Sequence, residues 1–391
     1  MKTVSQYTFM KVLIIGCGNI GSVSAQDLVK SVPSTEIVVA DKNEKRAKDV
    51  AEKIEKDNVS WTGLDTSNHG ELVNTLKGFD LAMGFLPGKL GYGLCKACID
   101  AGKDLVDVSY MAENPMTLNA SAAKAGVTIV PDCGLAPGIS NVLVGHAVGK
   151  LDEVKAVHVM VGGLPEKPVP PLGYTITWSP ESLIDEYTRK VVIVKKGRKV
   201  EIEALSGVEA ITFPKVGELE AFYTDGLRTL LYTMENVEEM WEKTLRYLGH
   251  AEKIKAFQTL GFFDEKKIDV EGVNVSPRKL TVKLIGEKLW KPEVKDIVVL
   301  KVEVVGVENG KKTSYSYHLL DNYDKKQGIT AMARTTAYPA SIVAQLMLKK
   351  AVKEKGVVPP EKIGMDKKLF SQFSDGLKKR GIKVSETRVA G

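Results

Sequence analysis

The chain has 391 residues, 43% of them hydrophobic, which is enough for two packed domains and too many for one core. Its 55 lysines and arginines against 49 acidic residues leave a formal charge of +6, with no basic block along the chain. That balance argues against nucleic acid as a partner and suits a small anionic cofactor or a carboxylate substrate.

In the first third, short β-rich runs alternate with stretches of helical period. Strands are predicted at Lys11–Ile15, Glu36–Ala40, Val59–Trp61, Phe79–Met83, Asp104–Asp107 and Val127–Val130. Helices are predicted between them at Ile20–Lys30, Glu44–Lys56, Ser67–Lys77, Tyr92–Ala101 and Met116–Ala125. Such alternation makes βαβ units and a doubly wound parallel sheet of the Rossmann type. The breaker-rich segment Pro131–Asn141 then marks the crossing into a second domain. Beyond it, tight turns join alternating strands: Lys196-Gly197 links Val191–Lys195 to Lys199–Ala204, and Asn309-Gly310 links Ile297–Val307 to Lys312–Leu320. Helices are predicted at Pro180–Tyr187, Asp225–Met234 and His250–Leu260. The middle region therefore reads as an α+β domain around a mainly antiparallel sheet. Two helices, Ala337–Lys353 and Asp366–Lys379, follow near the C-terminus.

The glycine pattern Gly16-Cys17-Gly18-Asn19-Ile20-Gly21 follows the first strand directly and opens a helix. In that context Gly16 permits the tight turn, Gly18 lets the backbone approach a pyrophosphate, and Gly21 lets helix and strand pack closely. Unpaired N–H groups at the helix start then face the phosphates. Asp41 ends the second strand, where a carboxylate accepts hydrogen bonds from the adenine-ribose hydroxyls and repels the extra phosphate of NADP. NAD is the expected cofactor, with Lys42 and Arg46 close enough to soften the preference. Topology places Asp65 near the adenine and the loop with Leu86 and Pro87 beside the nicotinamide half.

The longest apolar runs, such as Val12–Ile15 and Ile297–Leu300, are strand-sized, so no bilayer-spanning segment is expected. Met1–Met10 has one lysine, no apolar core and no cleavage site, so it does not read as a secretion signal. The four cysteines, Cys17, Cys95, Cys98 and Cys133, are too few and too clustered for a disulfide framework and point to a reducing cytoplasm. Cys95 and Cys98 form a single C-x-x-C in a predicted helix, with no second pair to complete a zinc site, so no metal is expected.

Several segments together carry a resemblance over nearly the whole length. They include V-L-I-I-G-C-G-N-I-G, L-V-D-V-S-Y-M-A-E-N-P around Asp107, and D-C-G-L-A-P-G-I-S-N. Others are Y-T-I-T-W-S-P-E-S-L-I-D-E-Y-T-R, A-F-Y-T-D-G-L-R-T-L-L, T-L-R-Y-L-G-H and M-A-R-T-T-A-Y-P-A. On these the chain resembles the saccharopine dehydrogenase-like superfamily, and within it most the bacterial and archaeal L-lysine 6-dehydrogenases. The resemblance implies a nucleotide domain built from both chain ends (1–135, completed by 330–391) and a central substrate and dimerisation domain (136–330). It also implies oxidation of the lysine ε-amine by NAD, with release of ammonia, in a homodimer. Saccharopine-type and carboxynorspermidine-type reductases are the alternatives among enzymes of the superfamily; a non-catalytic NAD-binding protein that keeps the fold is the alternative of another functional class.

A free amino acid needs a cation for its carboxylate and an anion for its ammonium. Thr224, Asp225 and Arg228 offer both, with a helix N-cap and a surface arginine as the other reading. Asp107, at the carboxyl edge of the fifth strand, either takes part in catalysis or caps the next loop. His250 is a candidate proton acceptor, and Arg246 and Arg334 are further anion partners. Trp178 and Tyr187 are candidate pocket walls, or core.

Overall fold

The computed structural model describes residues Met10–Gly391, so the reading of Met1–Met10 lies, Met10 apart, outside the described residues. The chain divides into two units, 1–134 with 336–360, and 135–335 with 361–391.

The first unit opens with β1 (Lys11–Ile15), α1 (Asn19–Ser31), β2 (Glu36–Asp41), α2 (Glu44–Ile54), β3 (Val59–Gly63) and α3 (His69–Leu76). It continues with β4 (Leu81–Gly84), α4 (Gly88–Ala101), β5 (Asp104–Asp107), α5 (Asn119–Lys124) and β6 (Thr128–Val130). These six strands, with a short seventh at Gly356–Val357, form one parallel sheet. The order β6-β5-β4-β1-β2-β3 reverses direction at β1, so the chain winds first to one side and then to the other. Val12, Leu13 and Ile14 are fully buried because helices cover both faces of the sheet. Every predicted strand is present. The predicted helix Met116–Ala125 is divided, with a 3-10 turn at Pro115–Leu118 preceding α5.

The second unit begins with α6 (Ile139–Val148), β7 (Glu153–Pro165), α7 (Pro180–Thr188), β8 (Val191–Lys195), β9 (Arg198–Ile202), β10 (Glu209–Phe213) and β11 (Gly217–Tyr223). Next come α8 (Leu230–Thr233), β12 (Glu239–Arg246), α9 (His250–Thr259), β13 (Ile268–Val270), β14 (Val273–Val275) and α10 (Pro277–Lys288). The long hairpin β15 (Asp296–Glu308) and β16 (Lys311–Asn322) follows. The chain then passes through α11 (Ala331–Leu348) and β17 (Gly356–Val357), most of α11 and all of β17 belonging to the first unit, and returns with α12 (Pro360–Met365), α13 (Lys367–Lys379) and β18 (Val384–Ala390). Nine strands form a mixed sheet, β10-β11-β12-β7-β15-β16-β18 with β8 and β9 beside β12. Its pairs are antiparallel except β12 with β7. Both predicted two-residue turns have positive φ at each residue, 51° and 73° at Lys196-Gly197 and 51° and 74° at Asn309-Gly310. That backbone matches the twist of the flanking strands.

Three sequence expectations are corrected. The predicted helix Asp225–Met234 is reduced to α8, because Arg228 has φ of +52°, outside helical space. The helix expected from Ala337 starts at Ala331, where the Asp296 carboxylate accepts the N–H groups of Ala331 (2.7 Å) and Met332 (2.9 Å). Residues 361–391, expected to complete the nucleotide domain, group with the second unit, where β18 pairs along β16. Both α10 and β18 are additional to the elements that the sequence pattern predicts.

Candidate dinucleotide and substrate sites

The glycine turn lies between the end of β1 and the start of α1, in the first unit. Gly16 has φ of +100°, and a Cβ there would lie 2.4 Å from the Phe85 carbonyl oxygen. A Cβ on Gly21 would lie 1.9 Å from the Gly16 oxygen, so the helix start is pressed onto the turn. Gly18 differs: a Cβ there would meet nothing within 4 Å. As the N-cap of α1 it contributes no side chain to the helix's first N–H groups. Open space in front of such donors fits a pyrophosphate. Gly18 and Asn19 are exposed, Ile20 is half-buried, and Cys17 is buried with its thiol pushed up to about 12 by desolvation.

Asp41 ties this turn to the end of β2. Its Oδ2 accepts the Cys17 N–H at 2.9 Å and its Oδ1 accepts the Asn43 N–H at 2.8 Å. Each carboxylate oxygen retains acceptor capacity for ribose hydroxyls. The Arg46 guanidinium stands 3.9 Å away. Lys42 reaches Asp65 at 2.7 Å, and that bond, with the Ser67 hydroxyl and N–H, holds the Asp65 carboxyl down at about 2. Leu86 packs on the core and Pro87 is the N-cap of α4. Asp107 is fully buried, and its two oxygens accept the Ser109 N–H and hydroxyl, both at 2.9 Å. It therefore caps the loop after β5.

The second unit gathers most of the remaining candidates around the ends of β11 and β12. Glu242, Thr244 and Arg246 alternate along β12 and share one face. Thr224 donates its hydroxyl to Glu242 Oε2 at 2.5 Å and lies 2.8 Å from the Thr244 hydroxyl. Burial pushes the Glu242 carboxyl well above its usual range. Arg228, 7% exposed, has Nη1 at 3.9 Å from Asp225 Oδ2. Arg246 is neutralised by Glu186 at 2.8 Å, donates to the Leu245 carbonyl, and lies over the Tyr174 ring. Trp178 donates its indole N–H to Tyr174 at 2.9 Å.

His250 is 1% exposed, between the Leu172 carbonyl (2.9 Å from Nδ1) and the Tyr187 hydroxyl (2.8 Å from Nε2). A carbonyl only accepts, so Nδ1 carries the proton and Nε2 accepts from Tyr187. Burial, with the Arg246 charge next in weight, pushes its pKa down to about 3. Both ring nitrogens are thus engaged inside the core, which favours a packing role over proton transfer. Glu220 fixes the segment by accepting the Gly249 (2.8 Å) and Ala251 (2.5 Å) N–H groups at the start of α9. Arg334 is held by Asp321 (2.8 Å), Asp324 (2.9 Å) and the Arg380 carbonyl (3.0 Å). The polar face of β12 went unread in the sequence, although its period-two spacing was there to find.

Known proteins agree with this architecture. Residues 12–130 match the family "Saccharopine dehydrogenase NADP binding domain", and residues 134–382 match "Saccharopine dehydrogenase C-terminal domain". The chain belongs to the saccharopine dehydrogenase family. A relative within the family is saccharopine dehydrogenase (NADP(+), L-glutamate-forming) of Schizosaccharomyces pombe, 24% identical over 83% of this chain and 87% of the relative. Carboxyaminopropylagmatine dehydrogenase of Synechocystis is 23% identical over 91% of this chain and 93% of the relative. Alpha-aminoadipic semialdehyde synthase of Arabidopsis thaliana is 24% identical over 90% of this chain, which spans only 40% of that protein. The fold matches apo saccharopine dehydrogenase (L-Glu forming) from Saccharomyces cerevisiae with a TM-score of 0.76 at 21% identity, covering 97% of this chain and 100% of the other.

Proposed function

We propose that this family member is an NAD-dependent dehydrogenase that oxidises the ε-amine of L-lysine, releasing ammonia and 2-aminoadipate 6-semialdehyde. The observation that carries the reading is the charge bookkeeping of the second unit. Arg246 is neutralised by Glu186, and Arg334 by Asp321 and Asp324. Asp225 and Arg228 form an ion pair with each other at 3.9 Å after β11. One such pair suits a single zwitterionic amino-acid head; three substrate carboxylates would need more cations.

The bound dinucleotide would accept the hydride, and the chain's own residues bind and orient. In the first unit, the Gly16–Gly21 turn and α1 would hold the pyrophosphate, and Asp41 the adenine ribose. Leu86 and Pro87 would border the nicotinamide half. Asp41 favours NAD, although the relatives' names specify NADP(+) and Arg46 stands nearby. In the second unit, Thr224, Asp225 and Arg228 would take the amino-acid head, with the partly buried Trp178 as wall; Tyr187, fully buried against His250, belongs to the core. Asp107, Arg246, His250 and Arg334 act as positioning groups, each already hydrogen-bonded within its own unit.

A second reading, a secondary-amine substrate of the saccharopine or carboxyaminopropylagmatine type, is favoured by the relatives' names. Absorbance at 340 nm with NAD or NADP and single amines separates the two. Lysine with NAD is expected to give NADH; turnover of saccharopine but not lysine would replace the first reading with the second.

A further inference from the structure

The second unit contains a cavity of about 490 Å³ beside the C-terminal end of α6 and along α13. That volume is within the range of small-molecule sites. Its composition is one-sided. Lys367, Ser371, Ser374 and Lys378 are spaced on one face of α13, and all four line it. Phe373 and Leu377, buried on a different face of that helix, form its packing face, so the cavity stripe is not the packing face. Across the space Lys150 is fixed by Glu386 at 2.7 Å and by the Tyr315 ring at 4.5 Å. Asp375 is the acidic residue of the lining, 3.7 Å from Lys378.

Among the described residues, no carboxylate lies within ion-pair distance of Lys367, and neither Ser371 nor Ser374 hydroxyl has a protein hydrogen-bond partner. The floor is apolar: Met365 and Phe370, with His146 stacked on the Phe370 ring at 3.4 Å and 8°. Burial keeps the His146 ring neutral at physiological pH, its pKa pushed down to about 4. Ammonium groups and unpaired hydroxyls at the mouth, over a stacked aromatic floor, complement an anion carried on an apolar body.

We propose that this cavity binds a small organic anion, a carboxylate or phosphate attached to an apolar or aromatic body. The site shares no residue with the dinucleotide turn or the Thr224–Arg228 cluster.

The test is calorimetric titration of the full chain, saturated with NAD to occupy the other anion site. The probes are phenyl phosphate, benzoate and inorganic phosphate. Saturable one-site binding of phenyl phosphate or benzoate is expected, and which of them binds tighter identifies the anionic group. Inorganic phosphate should bind at least about tenfold more weakly, because it buries no ring. The double variant Lys367→Ala/Lys378→Ala removes two exposed charges and should weaken binding by at least about fivefold. Ser374→Trp, which fills the cavity from its rim, should abolish it. The proposal is overturned if no probe binds saturably, if both variants bind like the parent chain, or if inorganic phosphate binds as tightly as the aromatic probes.

Discussion

Asp41 has two functions in the structure, holding the glycine turn through the Cys17 N–H and presenting its carboxylate at the end of β2. Asp41→Ala should raise the Michaelis constant for NAD by about 10- to 100-fold, the worth of hydrogen bonds to a charged acceptor, and narrow the gap to NADP. Steady-state kinetics with both cofactors checks this; unchanged constants would remove Asp41 from the site. Arg228→Ala should raise the constant for lysine and leave the limiting rate near the parent value, because the interaction is present in ground and transition states alike. His250 makes a prediction about stability. Its folded pKa of about 3 lies below the ordinary 6.5, so the unfolded chain binds the proton more readily. Stability from this ring is complete above pH 6.5 and lost as pH falls toward 3. Between pH 7 and 4.5 the loss should be about 2–3 kcal/mol, and His250→Gln should lack that part of the slope. Denaturant unfolding at the two pH values measures it.

At the scale of elements, α1 in the first unit is pressed onto the turn that precedes it. Gly21→Val would drive a side chain into the Gly16 carbonyl, so it should displace the helix start and abolish dinucleotide binding, as well as lowering the melting temperature. Intact cofactor binding in that variant would contradict the geometry. The elements most legible in the sequence are those whose pattern is local. The run from Val12 to Ile15 followed at once by Gly16 defines β1 and its turn, and Asn309-Gly310 defines the β15–β16 hairpin. The helix expected after Thr224 failed for a tertiary reason. Arg228 is buried in a left-handed conformation beside Asp225, and helical propensity does not register that. Among the site residues, Gly16, Gly18, Gly21 and Asp41 were readable because a short motif carries their chemistry. Glu186 and Glu242 were not, because their partners Arg246 and Thr224 are far away in sequence.

At the scale of the whole molecule, the C-terminal segment belongs to the second unit. Seven residue pairs join β18 to β16, and the buried Glu361 carboxylate accepts from Thr229 (2.9 Å), Thr233 (2.6 Å) and Asn141 (3.2 Å). Deleting Lys383–Gly391 should expose the β16 edge, lower the denaturant midpoint and promote aggregation, since an unpaired strand is a template for other chains. A truncated chain with the parent midpoint and no aggregation in light scattering would refute that pairing.

By itself the sequence determined the parallel sheet of the first unit, the nucleotide turn, and a second domain of strands and hairpins. Each of these is written in contiguous residues through hydrophobic period, turn chemistry and glycine spacing. Only the tertiary structure decided which charges are neutralised. It pairs Arg246 with Glu186 and Arg334 with Asp321 and Asp324, and it buries His250 between Leu172 and Tyr187. A titratable side chain acquires its function from what desolvates and faces it, and those neighbours are brought together by the fold.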